Sequence, residues 1–196
     1  YVINRDGSNQ SQSIKHWIWD AMDDGTEDLL VAKPTWKNTD GSLKSVQLFR
    51  LDTKKNRTTE LLKGLQPKDV TSWLIDKDKE PRFAFAGEGD ATVVHYRAPG
   101  SNDWVEISRF KFFDPAEISP AFIDGSGQAY VSKQDADGFA ALYTYDPVKR
   151  QVGSQPLLTT PGFDANAGPI LEYKTKRLLG IRYETDAENV VWYDPV

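Results

Sequence analysis

Between Phe122 and Pro147 the chain reads FIDGSGQAYVSKQDADGFAALYTYDP, short apolar runs broken twice by clusters of Asp, Gly and Ser. The pattern predicts strands. EISPAFID, Glu117 to Asp124, is a first strand, and Asp124-Gly125-Ser126-Gly127 is the turn that ends it, because glycine reaches the positive φ of tight turns. GQAYVSKQ is a second strand, rich in small, aromatic and β-branched residues, and Asp135-Ala136-Asp137-Gly138 is the next turn. FAALYTYD is a third strand, closed by Pro147, which cannot donate to a ladder. RQVGSQPLLTT, Arg150 to Thr160, reads as a fourth strand at an outer edge, where Pro156 is tolerable. Nowhere do apolar residues recur at three- and four-residue spacing over a long segment, so no helix is expected.

The same phrase returns every 48 positions. Ile75, Ile123 and Leu171 fall in step, as do Asp76, Asp124 and Glu172; Arg97, Tyr145 and Tyr193; and Pro99, Pro147 and Pro195. Leu62, Phe110 and Leu158 extend the series, and the spacing runs without a gap. The first copy, Ile14 to Gly64, is looser: Asp52 precedes Ala98 by 46, as a shorter turn between third and fourth strands would allow. It also carries a longer loop, KNTDGSLK, whose hairpin is expected to project. Four antiparallel strands at a period of about 40–50 is the sequence form of a propeller blade. The expected fold is therefore all-β, a β-propeller fragment of about three and a half to four four-stranded antiparallel blades. Its blades are placed at 14–64, 65–112, 113–160 and an incomplete 161–196. An open end exposes apolar surface, so further blades in a parent chain, or a homodimer through the open edges, are expected to cover it.

Composition narrows the partners. The 196 residues carry a net charge of -5 with acids and bases interspersed, which argues against nucleic acid. No apolar run approaches the roughly 20 residues of a membrane-crossing helix, and no basic amphipathic stretch points to a membrane surface. Absence of cysteine removes disulfides, thiolate metal sites and a cysteine nucleophile. The chain opens on YVINRDGSNQ without Met and stops inside a repeat, so it reads as a piece of a longer protein.

Candidate chemistry is sparse. There is no Gly-x-Ser-x-Gly, so no nucleophile elbow. Of two histidines, His95 sits mid-strand in VVHYRAP without a neighbouring acid cluster, and His16 stands apart from it. Asp76-Lys77-Asp78-Lys79-Glu80 and Asp135-Ala136-Asp137-Gly138 faintly resemble calcium loops, but both lack the full ligand spacing and read as turns. Trp17, Trp19, Trp36, Trp73, Trp104 and Trp192 fall at different points of the repeat, which favours blade-to-blade packing over one sugar-binding platform. Trp36, next to the long loop, is the exception. Lys54-Lys55-Asn56-Arg57 reads as a solvated hairpin tip, and Asn9-Gln10-Ser11 and Asn56-Arg57-Thr58 match the glycosylation pattern as short patterns often do. No catalytic, cofactor-binding or metal-ligating residue is assigned, and no cofactor is expected.

The phrases LFRLDTKKNRTTELLKG, VTSWLIDKDKEPRFAF, VVHYRAPGSNDWVEI and RYETDAENVVWYDP suggest a family. Over nearly all of residues 14–196 the chain resembles the N-terminal β-propeller of prolyl oligopeptidase family serine peptidases, including acylaminoacyl-peptidase-like and dipeptidyl-peptidase-like members. That resemblance implies a noncatalytic domain restricting access of peptide substrates to a separate α/β-hydrolase domain of the same parent, a domain absent from this chain. It leans towards the bacterial periplasm, with the cytoplasm also compatible. The competing reading is a stand-alone propeller that binds a protein partner. A carbohydrate-active propeller would need paired acids at the ring centre, whereas Asp76, Asp124 and Glu172 lie at strand-end turns.

Overall fold

The computed structural model describes residues 2–3, 9–10, 16–111 and 117–193. The start of the first repeat at Ile14, Ser11 of the first glycosylation pattern, the boundary between 112 and 113, and Pro195 lie outside them. A short antiparallel pair, β1 (Val2–Ile3) and β2 (Asn9–Gln10), precedes four small sheets. Blade 1 is β3 (Trp17–Ala21), β4 (Leu29–Trp36), β5 (Leu43–Asp52) and β6 (Arg57–Glu60). Blade 2 is β7 (Val70–Ile75), β8 (Pro81–Glu88), β9 (Ala91–Tyr96) and β10 (Val105–Lys111). Blade 3 is β11 (Ser119–Ile123), β12 (Ala129–Gln134), β13 (Ala140–Asp146) and β14 (Gln151–Val152). Blade 4 has three strands among the described residues, β15 (Asn166–Leu171), β16 (Leu178–Glu184) and β17 (Glu188–Trp192). Each sheet is an antiparallel meander in chain order, and no described residue is helical. This is the β-propeller that the repeat predicts.

The cores lie between blades. Strand side chains alternate faces, so each sheet offers one apolar face to each neighbour. Leu30, Ala32, Val46 and Leu48 of blade 1 meet Val70, Trp73, Ala84 and Ala86 of blade 2. The Trp73 Nε1–H donates to the Val46 carbonyl at 2.9 Å, pinning the junction with a buried hydrogen bond. Phe83 and Val94 meet Ala129, Val131 and Tyr145 between blades 2 and 3. Phe122 and Tyr130, stacked at 4.4 Å, and Leu142 meet Ile181 between blades 3 and 4. At roughly 25 cal/mol per Å² of apolar surface buried, these junctions carry the main favourable term for the fold.

Two sequence expectations are corrected. The repeat is not gapless. Arg97 N–H bonds to the Arg82 carbonyl, whereas Tyr145, one period on, stands opposite Ala129, one period after Pro81. This one-residue slip flips side chains to the other face. Phe83 and Val131, equivalent by spacing, instead enter the same core from opposite sides. The hairpins between second and third strands explain it: Glu88 pairs with Ala91, Gln134 with Ala140, and Glu184 with Glu188. Nor is Arg150–Thr160 one strand. After Val152 the Gly153 backbone lies so close to Thr144 that a Cβ would come within 2.4 Å of its hydroxyl. The chain then bends until Leu158 bridges Leu142.

Carboxylates fix the turns. Asp76 Oδ1 accepts the N–H groups of Asp78 and Glu80 at 2.9 and 3.0 Å, and Asp124 Oδ1 those of Ser126 and Gln128 at 2.9 and 3.1 Å. Glu172 accepts those of Lys174 and Thr175, and also the Thr175 hydroxyl. The Thr175 hydroxyl and these N–H groups hold the Glu172 carboxyl at about 2. Asp52 and Asp146 cap the outer turns in the same way, each followed four positions on by a left-handed residue, Asn56 and Arg150.

Turn tips also join blades. Lys79 of blade 2, its side chain only 3% exposed, reaches Asp20 at 2.5 Å and Asp23 at 3.2 Å on blade 1. Gly125 of blade 3 donates its N–H to the Lys176 carbonyl of blade 4 at 2.7 Å. A Cβ there would lie 1.8 Å from the Thr175 carbonyl oxygen, backbone that cannot step aside. Gly127, two positions on, has φ +87° but open space around it. Gly125→Ala is therefore expected to cost about 3 kcal/mol by overpacking, and Gly127→Ala about 1 kcal/mol by backbone strain alone. Urea unfolding of the two variants checks the order; equal losses would contradict it.

Candidate binding groove

The second-to-third-strand hairpins and the blade-to-blade connections share one face of the propeller. On it, between blades 1 and 2, two adjoining hollows of about 660 and 690 Å³ share Asp69, Gly87 and Gly89 in their lining. Trp36, at the end of β4, and the hairpin of residues 37–42 wall one hollow. Leu65, His95 and Trp104 wall the other. Asp69 sits just before β7 with φ +52°, a conformation that Asp tolerates better than most residues. Its carbonyl accepts the Gly87 N–H at 3.0 Å, which extends the β7–β8 ladder of blade 2 one rung past Val70 and Ala86.

The walls differ chemically. Trp36 is 52% exposed and meets Trp17 edge-on at 6.3 Å, leaving indole surface open to solvent. Asn38, Thr39 and Asp69 make no side-chain hydrogen bond or ion pair with the described residues. In the second hollow, Trp104 packs on Trp73 at 5.7 Å and under the Arg97 guanidinium at 5.7 Å. Its buried Nε1–H, a donor only, has no acceptor among the described residues. His95 stands opposite Ala84 and Glu106. Burial lowers its pKa, with Arg109 acting in the same direction and Glu106 and Glu88 opposing. Arg109 grips Glu106 with two bonds, at 2.9 and 3.0 Å, and Glu88 with one at 2.7 Å. These pairs raise the Arg109 pKa, and the guanidinium holds Glu106 below its ordinary value. A third hollow of about 650 Å³ lies between blades 3 and 4, where Arg182 faces Glu188 at 3.5 Å.

Residues singled out in the sequence are dispersed. His16 lies edge-on to Phe49 at 5.9 Å, with its Nδ1 buried and without a hydrogen-bond partner among the described residues. The carboxylates of Asp76 and Asp135 are turned onto their own loops' N–H groups, and Asp76 also takes Arg82 Nε at 2.6 Å. Among the described residues no three His, Asp or Glu side chains are grouped to hold a metal. The tryptophan expectation is corrected in part. Trp73 packs between blades, but Trp17, Trp19, Trp36 and Trp192 are 39–56% exposed. Trp17 and Trp36 stand opposite Ala32 and Leu43 of the cluster between blades 1 and 2, at its solvent edge, whereas Trp192 lies on the face of blade 4 turned away from blade 3. Asp69, Asn38, Gly87 and Gly89 escaped sequence reasoning, although two glycines breaking the apolar run FAFAGEG were a visible signal.

No family model, curated protein or solved structure matches the chain.

His95 makes the groove wall sensitive to pH. A histidine whose pKa is depressed on folding stabilises the fold fully above its unfolded value and less as pH falls through the folded one. His95 should titrate below 6.5 by NMR. His95→Gln should flatten the fall in stability between neutral and mildly acid pH. An unchanged pH profile would contradict the assignment.

Proposed function

We propose that this chain is the noncatalytic propeller of a prolyl oligopeptidase family serine peptidase. In this reading the blades restrict access to a separate α/β-hydrolase domain, so that peptides reach it and folded proteins do not. One observation carries the reading. Two of the four phrases that carry the family resemblance lie on the same structural element of consecutive blades. LFRLDTKKNRTTELLKG runs through the outer hairpin of β5 and β6, and VVHYRAPGSNDWVEI through that of β9 and β10. The junction cores support the role: a wall that filters by size must hold its shape, and close-packed interiors deform little. The missing Gly-x-Ser-x-Gly supports a division of labour in which the nucleophile is supplied elsewhere in the parent.

The purified chain should hydrolyse no peptide or ester substrate and should take no label from a fluorophosphonate serine probe. The parent gene read past Val196 should encode Gly-x-Ser-x-Gly, then Asp, then His. Serine-dependent turnover by the chain itself would overturn the reading. A parent containing only further blades would replace it with a propeller that binds a protein partner.

A further inference from the structure

We propose that the groove between blades 1 and 2 binds a neutral oligosaccharide, with one pyranose ring laid on Trp36. The inference stands apart from the peptidase reading and rests on what the groove offers. Trp36 and Trp17 form an L-shaped apolar corner that is 52% and 43% exposed. A flat aromatic surface open to water is costly to leave bare, and it matches the C–H face of a pyranose, which is apolar while the ring's rim is polar. Around that corner stand an amide, a hydroxyl and a carboxylate, on Asn38, Thr39 and Asp69, none bonded to the described residues. Together they offer donors and acceptors within one hollow, which is what neighbouring sugar hydroxyls require.

Two other ligand classes fit less well. An extended peptide docking by strand addition needs free backbone groups. Here the Gly87 N–H is held by Asp69, and Lys37 and Gly41 donate within their own hairpin. A nucleic acid strand needs a basic track as well as stacking surface. Lys37 and Lys44 are the lysines lining this hollow, they share it with Asp69, and the chain is acidic overall.

The site has room for more than one ring, since the hollow beside Trp36 measures about 660 Å³ and opens towards its neighbour of about 690 Å³. The glycines at its waist keep the floor clear of side chains, and a Cβ at Gly89 would meet nothing within 4 Å. The scattered positions of the tryptophans along the repeat speak against a platform repeated in every blade. A single site, built where the first blade's long hairpin meets the second blade, does not require repetition.

The test is calorimetric titration of the chain with cellohexaose and maltohexaose, with an Ala-Gly hexapeptide as the comparison, and melting temperatures taken on every variant. At least one sugar should bind with millimolar affinity or better. Trp36→Ala should weaken it at least tenfold, while Trp36→Tyr retains most of the affinity, because the ring rather than the indole N–H is the platform. Trp36 is exposed, so neither variant should move the melting temperature. Asp69→Asn, which keeps the left-handed backbone, should weaken binding without unfolding the chain. Failure of both sugars to bind would overturn the proposal. So would unchanged affinity in Trp36→Ala, or tighter binding of the hexapeptide than of either sugar.

Discussion

A blade of this chain cannot hide its own faces. Each is a small twisted sheet with apolar side chains on both sides, and the next blade alone can remove them from water. The three buried clusters are the consequence, and each draws strands from two blades. Trp73 shows how specific the constraint is: its ring fills the junction while its one donor reaches a carbonyl of the neighbouring sheet. The same constraint explains the ends of the array, where Ile18 and Trp192 remain exposed on the faces turned away from the one described neighbour.

Face-to-face burial fixes distance but not alignment, and the turns supply the rest. Carboxylates at strand ends accept the N–H groups of their own loops and so hold residues such as Lys79 and Lys176 in the left-handed region. The tips thus formed reach across. Burial works against the Lys79 charge, but Asp20 and Asp23 outweigh it and raise its pKa. Gly125 brings backbone against backbone between blades 3 and 4. The tips thus fix how neighbouring blades align, at the end of the strands opposite the groove.

Most of the architecture was legible in the sequence because the repeat is physical. The Asp-containing turns at Asp76 and Asp124 mark strand ends, and the prolines after the third strands mark exits. The register was not legible. Hairpins of different length can conserve a 48-residue period while shifting pairing by one, and spacing alone cannot reveal compensating changes. The groove was less legible still. Trp36 stands beside its long loop in the sequence, but Asp69 and Gly89 come from the neighbouring blade, and only folding places them together.

The face-to-face account is tested most directly at Phe83 and Val131, which spacing makes equivalent and the fold places in one junction. A double-mutant cycle of Phe83→Leu and Val131→Ala, read by urea unfolding, measures whether they share a core. The account predicts a coupling of at least about 0.5 kcal/mol, as for residues in one packed cluster. Additivity within about 0.3 kcal/mol would mean that blades 2 and 3 do not close on each other there, and would contradict it.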